Sequence, residues 1–247
     1  SVSAFLLNRS SDLRLIKIKL TSGSYSLYGS STYPILSANA SSSSDNRIYA
    51  LCITSVRLGT GVNIVGPAFY YACNLQSISI PTNTTIGSQA FYYALSLKGI
   101  VFPTGTSIDT SALSYSCVKY VSLPKGVTSV GTGLFSNCMK LKRAPVFDGV
   151  STIPNSTYYN CNYLIKIIVP SNITAIGTSA FSSCYGLAEF HFKGTTPPTL
   201  SNSNTFGSSI PTDCKIYVPY SADHSILNSY KSANNYLNPA TYTYMEE

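Results

Sequence analysis

The sequence predicts an α/β-type repeat solenoid, in which units of about 22 to 23 residues stack with a parallel sheet on one face and short turns or helices on the other. The first observation is an anchor residue that recurs at spacings of 22, 22, 22, 23 and 23 residues. The second is a strand-like alternation after each anchor, and the third is a proline that follows most of these strands. The anchors are Phe69, Phe91, Leu113, Phe135, Tyr158 and Phe181.

Two inward positions follow the anchor in most units: a small residue or cysteine three positions on, and a leucine six positions on. A single unit of this size cannot bury both of its apolar edges, so neighbouring units must share one core and form one elongated domain. The inward residues are Ala72, Ala94, Cys138, Cys161 and Cys184, and then Leu75, Leu97, Leu141, Leu164 and Leu187.

Each unit then supplies one short strand. A proline cannot donate the next ladder hydrogen bond and therefore ends the strand, and a glycine marks a second corner, where we expect a positive φ. The inward strand pairs are Ile78/Ile80, Ile100/Phe102, Ala144/Val146, Ile167/Val169 and Phe190/Phe192, the prolines are Pro81, Pro103, Pro124 and Pro170, and the glycines are Gly66, Gly87, Gly131 and Gly177.

One unit, from Asp109 to Pro124, departs from this pattern. Leu113 replaces the aromatic anchor, and Val121 and Leu123 fit the strand only after a one-residue deletion. We therefore predict a local bulge in this unit.

The two ends of the chain are predicted to cap the array. Residues 1–65 read as an N-terminal cap, with a degenerate repeat around Phe5, Leu13, Ile16 and Ile18 and an irregular, mobile Ser- and Tyr-rich excursion from Thr21 to Asp45. Residues 66–193 hold the regular repeats, and residues 194–247 hold a distorted repeat, with Phe206 as a last anchor, and a strand-helix cap.

In this C-terminal cap, the alternation from Cys214 to Val218 predicts a strand that Pro219 ends. Ser221 is predicted to N-cap a helix, and the tail from Asn238 to Glu247 is predicted to be frayed. The apolar face of that helix would hold Ile226, Leu227, Tyr230, Ala233 and Leu237.

The best repeat, LIKIIVPSNITAIGTSAFSSCYGL from Leu164 to Leu187, resembles the BspA-type leucine-rich repeats, whose units read roughly L-x-x-I-x-I-P-x-x-[IV]-x-x-I-G-x-x-A-F-x-x-C-x-x-L. The resemblance covers about Val56 to Phe192 and implies a leucine-rich repeat array. It also implies a secreted or cell-surface protein, because this family resembles surface adhesins of host-associated microbes. The asparagine that closes the turn in commoner leucine-rich repeats is replaced by proline, so this turn must be closed differently.

The seven cysteines are predicted to be buried free thiols. Cys138, Cys161 and Cys184 share one repeat position, about 4.8 Å apart along the stack, and parallel Cβ vectors do not form disulfides. The sequence contains no C-x-x-C motif or Cys/His cluster, so it predicts no metal site and no cofactor.

Catalysis needs convergent polar groups, whereas two histidines and nine carboxylates are scattered along this array. No G-x-S-x-G motif is present, and the sequence predicts no enzyme. His224 and Asp223 are read as a solvated helix surface, and His191 and Glu189 as a surface ion pair.

The net charge of +7 is spread thinly, with only 10% charged residues, so nucleic acid is not a predicted partner. Membrane insertion is not predicted either, because no apolar run is long enough to span a bilayer.

One set of outward-facing side chains predicts a binding surface. Stacked strands would place Lys98, Lys119, Lys142, Arg143 and Lys166 side by side as a basic strip, with Tyr120 among them and His191 at its C-terminal end. The alternative is an ordinary solvated sheet face, since outward strand positions are often lysine.

These features support three functional hypotheses. The first is a monomeric, non-enzymatic binding scaffold that recognises an extracellular protein or glycan, as an adhesin does, through the exposed sheet face. The second is a structural spacer or stalk that displays another domain. The third is a carbohydrate-active or other enzyme module, which would need a cleft with two carboxylates at catalytic spacing, or an accessory module of such an enzyme.

Overall fold

A computed structural model describes residues 16–19, 25–28, 53–127, 129–207, 210–233 and 237–247. It confirms a solenoid of stacked repeats, in which every strand pairing of the described residues is parallel. The strands are β1 Ile16–Lys19, β2 Tyr25–Tyr28, β3 Ile53–Arg57, β4 Val62–Val65, β5 Ser77–Ser79, β6 Thr85–Ile86, β7 Gly99–Val101, β8 Ser107–Ile108, β9 Tyr120–Ser122, β10 Thr152–Ile153, β11 Lys166–Val169, β12 Ala175–Ile176, β13 Glu189–Phe192, β14 Thr199–Leu200, β15 Lys215–Val218 and β16 Thr243–Glu246. One α-helix, α1 Ser225–Ala233, and a 3-10 turn at Ser203–Thr205 are also present in this part of the chain.

The strands form two columns that run the length of the array. The first column contains β1-β3-β5, β7-β9 and β11-β13-β15-β16, and the second contains β2-β4-β6-β8 and β10-β12-β14. Equivalent residues of successive repeats lie in register, as Ile167, Phe190 and Ile216 do in the first column. Each repeat therefore contributes one residue of each type to a continuous row.

The turn side forms a third hydrogen-bonded column. Alternate N–H groups donate to the next repeat and to the same repeat: Phe69 N donates to Ala90 O at 2.8 Å, whereas Ala72 N donates to Phe69 O at 3.1 Å. This alternation requires a positive φ two residues after every anchor, at values between 57° and 63°. The residues concerned are Tyr71, Tyr93, Tyr115, Asn137, Asn160 and Ser183.

The core contains the predicted inward residues. All six anchors, the small residues three positions later and the leucines six positions later are buried. Anchor rings of neighbouring repeats stack, with centroids 5.5 Å apart for Phe69 and Phe91 and 5.5 Å for Tyr158 and Phe181. Phe206 continues this stack at 5.8 Å from Phe181, which confirms it as a last anchor.

The prolines end the strands as predicted, and a threonine closes the turn that follows Pro81 and Pro103. Thr84 and Thr106 donate their hydroxyls to the carbonyl oxygens of Pro81 and Pro103, each at 2.7 Å. This contact is the alternative to the asparagine of commoner leucine-rich repeats.

The role predicted for the corner glycines is wrong at three of the four positions. Only Gly66 has a positive φ. At Gly87 and Gly131 an added Cβ would lie 2.2 Å from a backbone nitrogen of the preceding repeat, and at Gly177 it would lie 2.4 Å from Asn155 Oδ1. Glycine is required there because the stacked backbones approach closely, and not because of its conformational freedom.

The predicted bulge in the third unit is also wrong. The one-residue deletion is real, since Ile100 pairs with Val121, but β7 and β9 pair without interruption over three residue pairs. The deletion lies in the turn before the strand. The shortened register is present by Lys119, because Lys119 N donates to Lys98 O at 2.8 Å.

In the repeat that begins at Phe135, the inward assignment of Val146 is wrong. Val146 is exposed, and Phe147 is buried instead, with its ring centroid 6.1 Å from that of Tyr158. Pro145 has no N–H to donate, and Arg143 forms only an isolated bridge with Lys166, so a regular strand does not form and the alternation shifts by one residue.

At the N-terminal end, β1 pairs with β3 and confirms a repeat around Ile16 and Ile18. The irregular excursion is contradicted in part, because β2 lies within it and pairs in register with β4. The other residues of Thr21 to Asp45, together with Phe5 and Leu13, lie outside the described residues.

At the C-terminal end, the strand and helix are confirmed with shifted details. The helix begins at Ser225, four residues after Ser221, because His224 adopts a φ of +56°. The Ser221 hydroxyl still accepts the Ile226 N–H at 3.2 Å, and Tyr230 is buried. Ala233 is exposed and Leu237 lies beyond the helix, so neither belongs to its buried face.

The tail is not frayed. Residues Thr243–Glu246 form β16, which pairs in parallel with β15. The hydroxyls of Tyr242 and Tyr244 donate to Ile210 O at 3.3 Å and Leu237 O at 2.8 Å. The alternation of Tyr242 and Tyr244 is the local sequence signal for this strand.

Candidate binding face

The basic strip lies on the outward side of the first strand column. Its first row is formed by hydrogen-bonded neighbours, because Lys119 N donates to Lys98 O at 2.8 Å and Lys142 N to Lys119 O at 3.3 Å. All three lysines are exposed. Strand spacing of about 4.8 Å therefore places three cations in a line across three repeats.

A second row lies one residue further along each strand. Tyr120 pairs with Gly99, and Arg143 bridges to Lys166. The Tyr120 ring covers Gly99 so closely that an added Cβ there would lie 1.9 Å from the ring, yet the ring remains 63% exposed. Glycine at this position is what allows Tyr120 to lie flat across the neighbouring strand.

The strip is almost free of carboxylates. Lys166 Nζ lies 3.0 Å from Glu189 Oε2, and among the described residues no carboxylate pairs with the other four cations of the strip. The first-column strands from Gln76 to Ala188 contain no Asp or Glu at all. The strip therefore presents uncompensated positive charge in a fixed arrangement.

Exposed apolar side chains accompany the cations, and the sequence prediction overlooked them. Val101 is 61% exposed, Ile165 53% and Ile168 37%. Ile165 N donates to Lys142 O, so Ile165 continues the lysine row, and Val101 lies in β7, which begins directly after Lys98. The signal that would identify them is an aliphatic residue at an outward strand position, next to a cation.

His191 does not belong to this surface, which corrects its assignment to the binding face. Its side chain is 7% exposed and its ring stacks on Tyr217, with centroids 4.2 Å apart. Its Nε2 lies 2.9 Å from Glu189 Oε2 and its Nδ1 lies 2.8 Å from Glu247 Oε2. Both contacts are with carboxylate oxygens, and the contact with Glu247 links β13 to the end of the chain.

This cluster changes the acidity of its carboxyls. The hydrogen bond from His191, followed by that from Lys166, lowers the pKa of Glu189. Burial alone would raise the pKa of Glu247, but hydrogen bonds from Lys193 and His191 outweigh it and leave that pKa below its ordinary value. Both carboxylates are therefore stabilised in the folded state.

His224 is also used differently from the prediction. It precedes the helix, and its Nδ1 lies 2.6 Å from Glu246 Oε2 in β16. It therefore contacts the C-terminal strand and is not part of a solvated helix face.

The cysteine column is confirmed as a row of buried thiols. Cys138, Cys161 and Cys184 are buried, and the six described cysteines are free. Each thiol of the column donates to the carbonyl oxygen of the preceding anchor, at 3.0 Å to Leu113 and 3.1 Å to Phe135 and Tyr158. No group of His, Cys, Asp or Glu in the described residues is arranged to hold a metal ion.

The turn side carries a tyrosine cluster in the first three repeats. Tyr70 stacks on Tyr92 at 4.9 Å, Tyr71 stacks on Tyr93 at 4.8 Å, and the two stacks meet edge to face. Tyr115 contacts both stacks. Burial, followed by the neighbouring Tyr115, raises the pKa of Tyr92 to about 12, so Tyr92 stays neutral at ordinary pH.

In the described part of the chain, no helix is both long and apolar enough to cross a membrane.

The family model described as the BspA type leucine-rich repeat region matches six copies, over residues 19–142 and 84–210. No curated protein is significantly similar to the chain.

Several solved structures are similar to the chain. A leucine-rich repeat protein from Bacteroides ovatus matches with 17% identity and a TM-score of 0.37, over 79% of this chain and 66% of that one. The pneumococcal vaccine antigen PcpA matches with 14% identity and a TM-score of 0.33, over 79% and 68%. A leucine-rich cell surface protein from Faecalibacterium prausnitzii matches with 16% identity and a TM-score of 0.27, over 94% and 89%.

Proposed function

Because the chain belongs to the BspA-type leucine-rich repeat family, we propose that it is a non-enzymatic, secreted or cell-surface scaffold that binds an extracellular protein or glycan. The bound surface is the exposed sheet face, and the scaffold acts as a monomer in adhesion or recognition. The extracellular location is supported by the family alone.

The observation that carries the proposal is the basic strip. Four exposed cations, Lys98, Lys119, Lys142 and Arg143, lie on neighbouring repeats, and no carboxylate of the described residues pairs with them. Like charges on adjacent strands disfavour folding unless something of opposite charge lies across them. A surface that keeps this arrangement is suited to an anionic partner, whose approach it would accelerate.

A screen against immobilised extracellular-matrix proteins and a glycan array tests this function. We expect at least one ligand whose binding is abolished when Lys98, Lys119, Lys142 and Arg143 are all replaced by Ser. The melting temperature should be nearly unchanged, because exposed charges contribute little to folding. Binding by the parent should weaken as the salt concentration rises, because salt screens the charges of the strip.

A matched control separates this surface from overall charge. The variant Lys119→Ser/Lys142→Ser removes two charges from the strip, and Lys125→Ser/Lys231→Ser removes two exposed charges elsewhere. Only the first should weaken binding. Equal binding by both variants and the parent at low ionic strength would show that the strip is a solvated sheet face.

A further inference from the structure

Cations and apolar side chains alternate on the sheet face. Lys98 directly precedes β7, which contains Val101, Lys142 is followed in its row by Ile165, and Lys166 and Ile168 share β11. Four of the large apolar side chains that the described residues expose lie on this face, namely Val101, Tyr120, Ile165 and Ile168. An exposed apolar patch that is rimmed by polar groups marks an interaction site.

This mixture discriminates between classes of anionic partner. A nucleic acid or sulfated glycan uses cations, but it gains little from half-exposed valine and isoleucine beside them. A polypeptide surface can use both, because carboxylates pair with Lys and Arg while aliphatic or aromatic side chains bury Val101, Ile165 and Ile168. Tyrosine and arginine, present here as Tyr120 and Arg143, are also enriched where proteins contact one another.

We infer that the partner of the sheet face is a polypeptide whose contact surface combines carboxylates with aliphatic or aromatic side chains, and not a polyanionic glycan or nucleic acid. This inference rests on the proposed function and names the class of partner. Tyr120, held across Gly99, is the central apolar contact, and the lysine row fixes the direction in which acidic side chains align.

Two probes test this inference on the whole chain: a displayed library of random peptides and fluorescent heparin, a polyanion without apolar side chains. The charge variant is Lys119→Ser/Lys142→Ser, with Lys125→Ser/Lys231→Ser as its control. The apolar variant is Val101→Thr/Ile165→Thr/Ile168→Thr, which keeps β-branched residues in the strands. Its control is Tyr159→Ser/Tyr220→Ser, which removes exposed apolar side chains elsewhere.

We expect selected peptides to carry Asp or Glu together with Leu, Ile or Phe. Their dissociation constants should rise about tenfold or more in both the charge and the apolar variant, and remain unchanged in both controls. Only the charge variant should reduce the salt dependence. Circular-dichroism melting curves that match the parent ensure that these losses are not caused by unfolding.

Two results overturn the inference but leave the proposed function standing. One is heparin binding that is lost in the charge variant and unchanged in the apolar variant, with no selected peptide that depends on the face. The other is selected peptides that are purely acidic and insensitive to the apolar variant. If the charge variant binds both probes as the parent does, or if neither probe binds the parent, the inference and the proposed function both fail.

Discussion

The first three repeats and the last three share one backbone but stabilise it with different side chains. Two residues after the anchor, φ is positive in all six repeats, yet the residue is tyrosine in the first three and asparagine or serine in the last three. The tyrosines offset the strain of this conformation by stacking across repeats, whereas Asn160 donates its amide N–H to Asn137 Oδ1 at 2.7 Å. Asparagine also tolerates this conformation better than most residues.

The position three residues after the anchor shows the same division. It holds Ala72, Ala94 and Ser116 in the first half, and the three thiols in the second half. All are buried, but only the thiols of Cys138, Cys161 and Cys184 donate to the preceding anchor carbonyl. The comparison teaches that the repeat fixes backbone geometry and side-chain volume, and leaves the chemistry at each position open.

The largest expected effect tests what the two halves share. Phe91→Ala and Phe181→Ala should each lower the free energy of unfolding by about 3–5 kcal/mol, because each removes a buried ring from the anchor stack. Urea denaturation of the two variants, with Lys231→Ala as a surface control, measures this. If one variant is destabilised much more than the other, the anchors do not play one role in both halves.

The next effect concerns the positive-φ position. Tyr93→Ala should cost about 2 kcal/mol, because it loses the ring contacts with Tyr71 and Tyr115, while alanine keeps the positive-φ strain that tyrosine already bears. Tyr93→Asn should cost about 1 kcal/mol less, since asparagine tolerates that conformation. The same denaturation experiment compares them, and equal costs would mean that backbone strain plays no part.

A smaller effect is expected for the thiol column. Cys161→Ala should cost about 1 kcal/mol, the size of one buried hydrogen bond and a small lost volume. Ala94→Cys, the reverse exchange in the first half, should be tolerated within about 1 kcal/mol, because volume is the shared requirement. A loss of several kcal/mol for Ala94→Cys would show that the two halves differ in packing as well as in chemistry.

Thiol reactivity gives an independent check of the same column. Burial raises the pKa of Cys138 and Cys184 to about 12, so little thiolate forms at neutral pH and both react slowly in the native protein. Among the six described cysteines, half-buried Cys73 and Cys117 should react first. Denatured protein should titrate close to seven thiols without reductant. Paired cysteines in a non-oxidising preparation would contradict the placement of the column.

The smallest effect is the acid sensitivity of the C-terminal cluster. Folding lowers the pKa of Glu189 and Glu247, so their contribution is present above the unfolded value of about 4.3 and is lost as the pH falls through the folded values. Glu189→Gln should therefore reduce stability at neutral pH by less than about 1 kcal/mol, because the pair is partly exposed. The melting temperatures of variant and parent should converge in acid. A constant difference across the pH range would exclude this linkage.

Periodicity determined how much of the fold could be predicted. The anchors, the buried leucines and the strand-ending prolines follow from spacing alone, because every repeat must present the same residue type to the core. The close approach at Gly87 could not be predicted, since it depends on the neighbouring repeat's backbone. The exposure of Val146 arises where Pro145 interrupts the strand and shifts its alternation.

The candidate face was also predictable from the sequence only in part. Adjacency of Lys98, Lys119 and Lys142 follows from the period, and the structure places them as hydrogen-bonded neighbours. Burial of His191 depends on Glu247, 56 residues later in the chain, and no local pattern encodes that contact. The apolar partners of the strip were visible at outward positions, but their exposure could be judged only from the stacked strands.

The interrupted strand of the Phe135 repeat has a mechanical consequence. Around this repeat, side chains replace part of the backbone ladder: Asp148 Oδ1 accepts Gly126 N–H at 2.8 Å, and the Asn172 amide donates to Val150 O at 2.6 Å. Such bonds are exposed, and water competes for them more readily than for a continuous ladder. A tensile load along the array would therefore meet fewer strand-to-strand backbone hydrogen bonds at this repeat than at the strand pairs on either side of it.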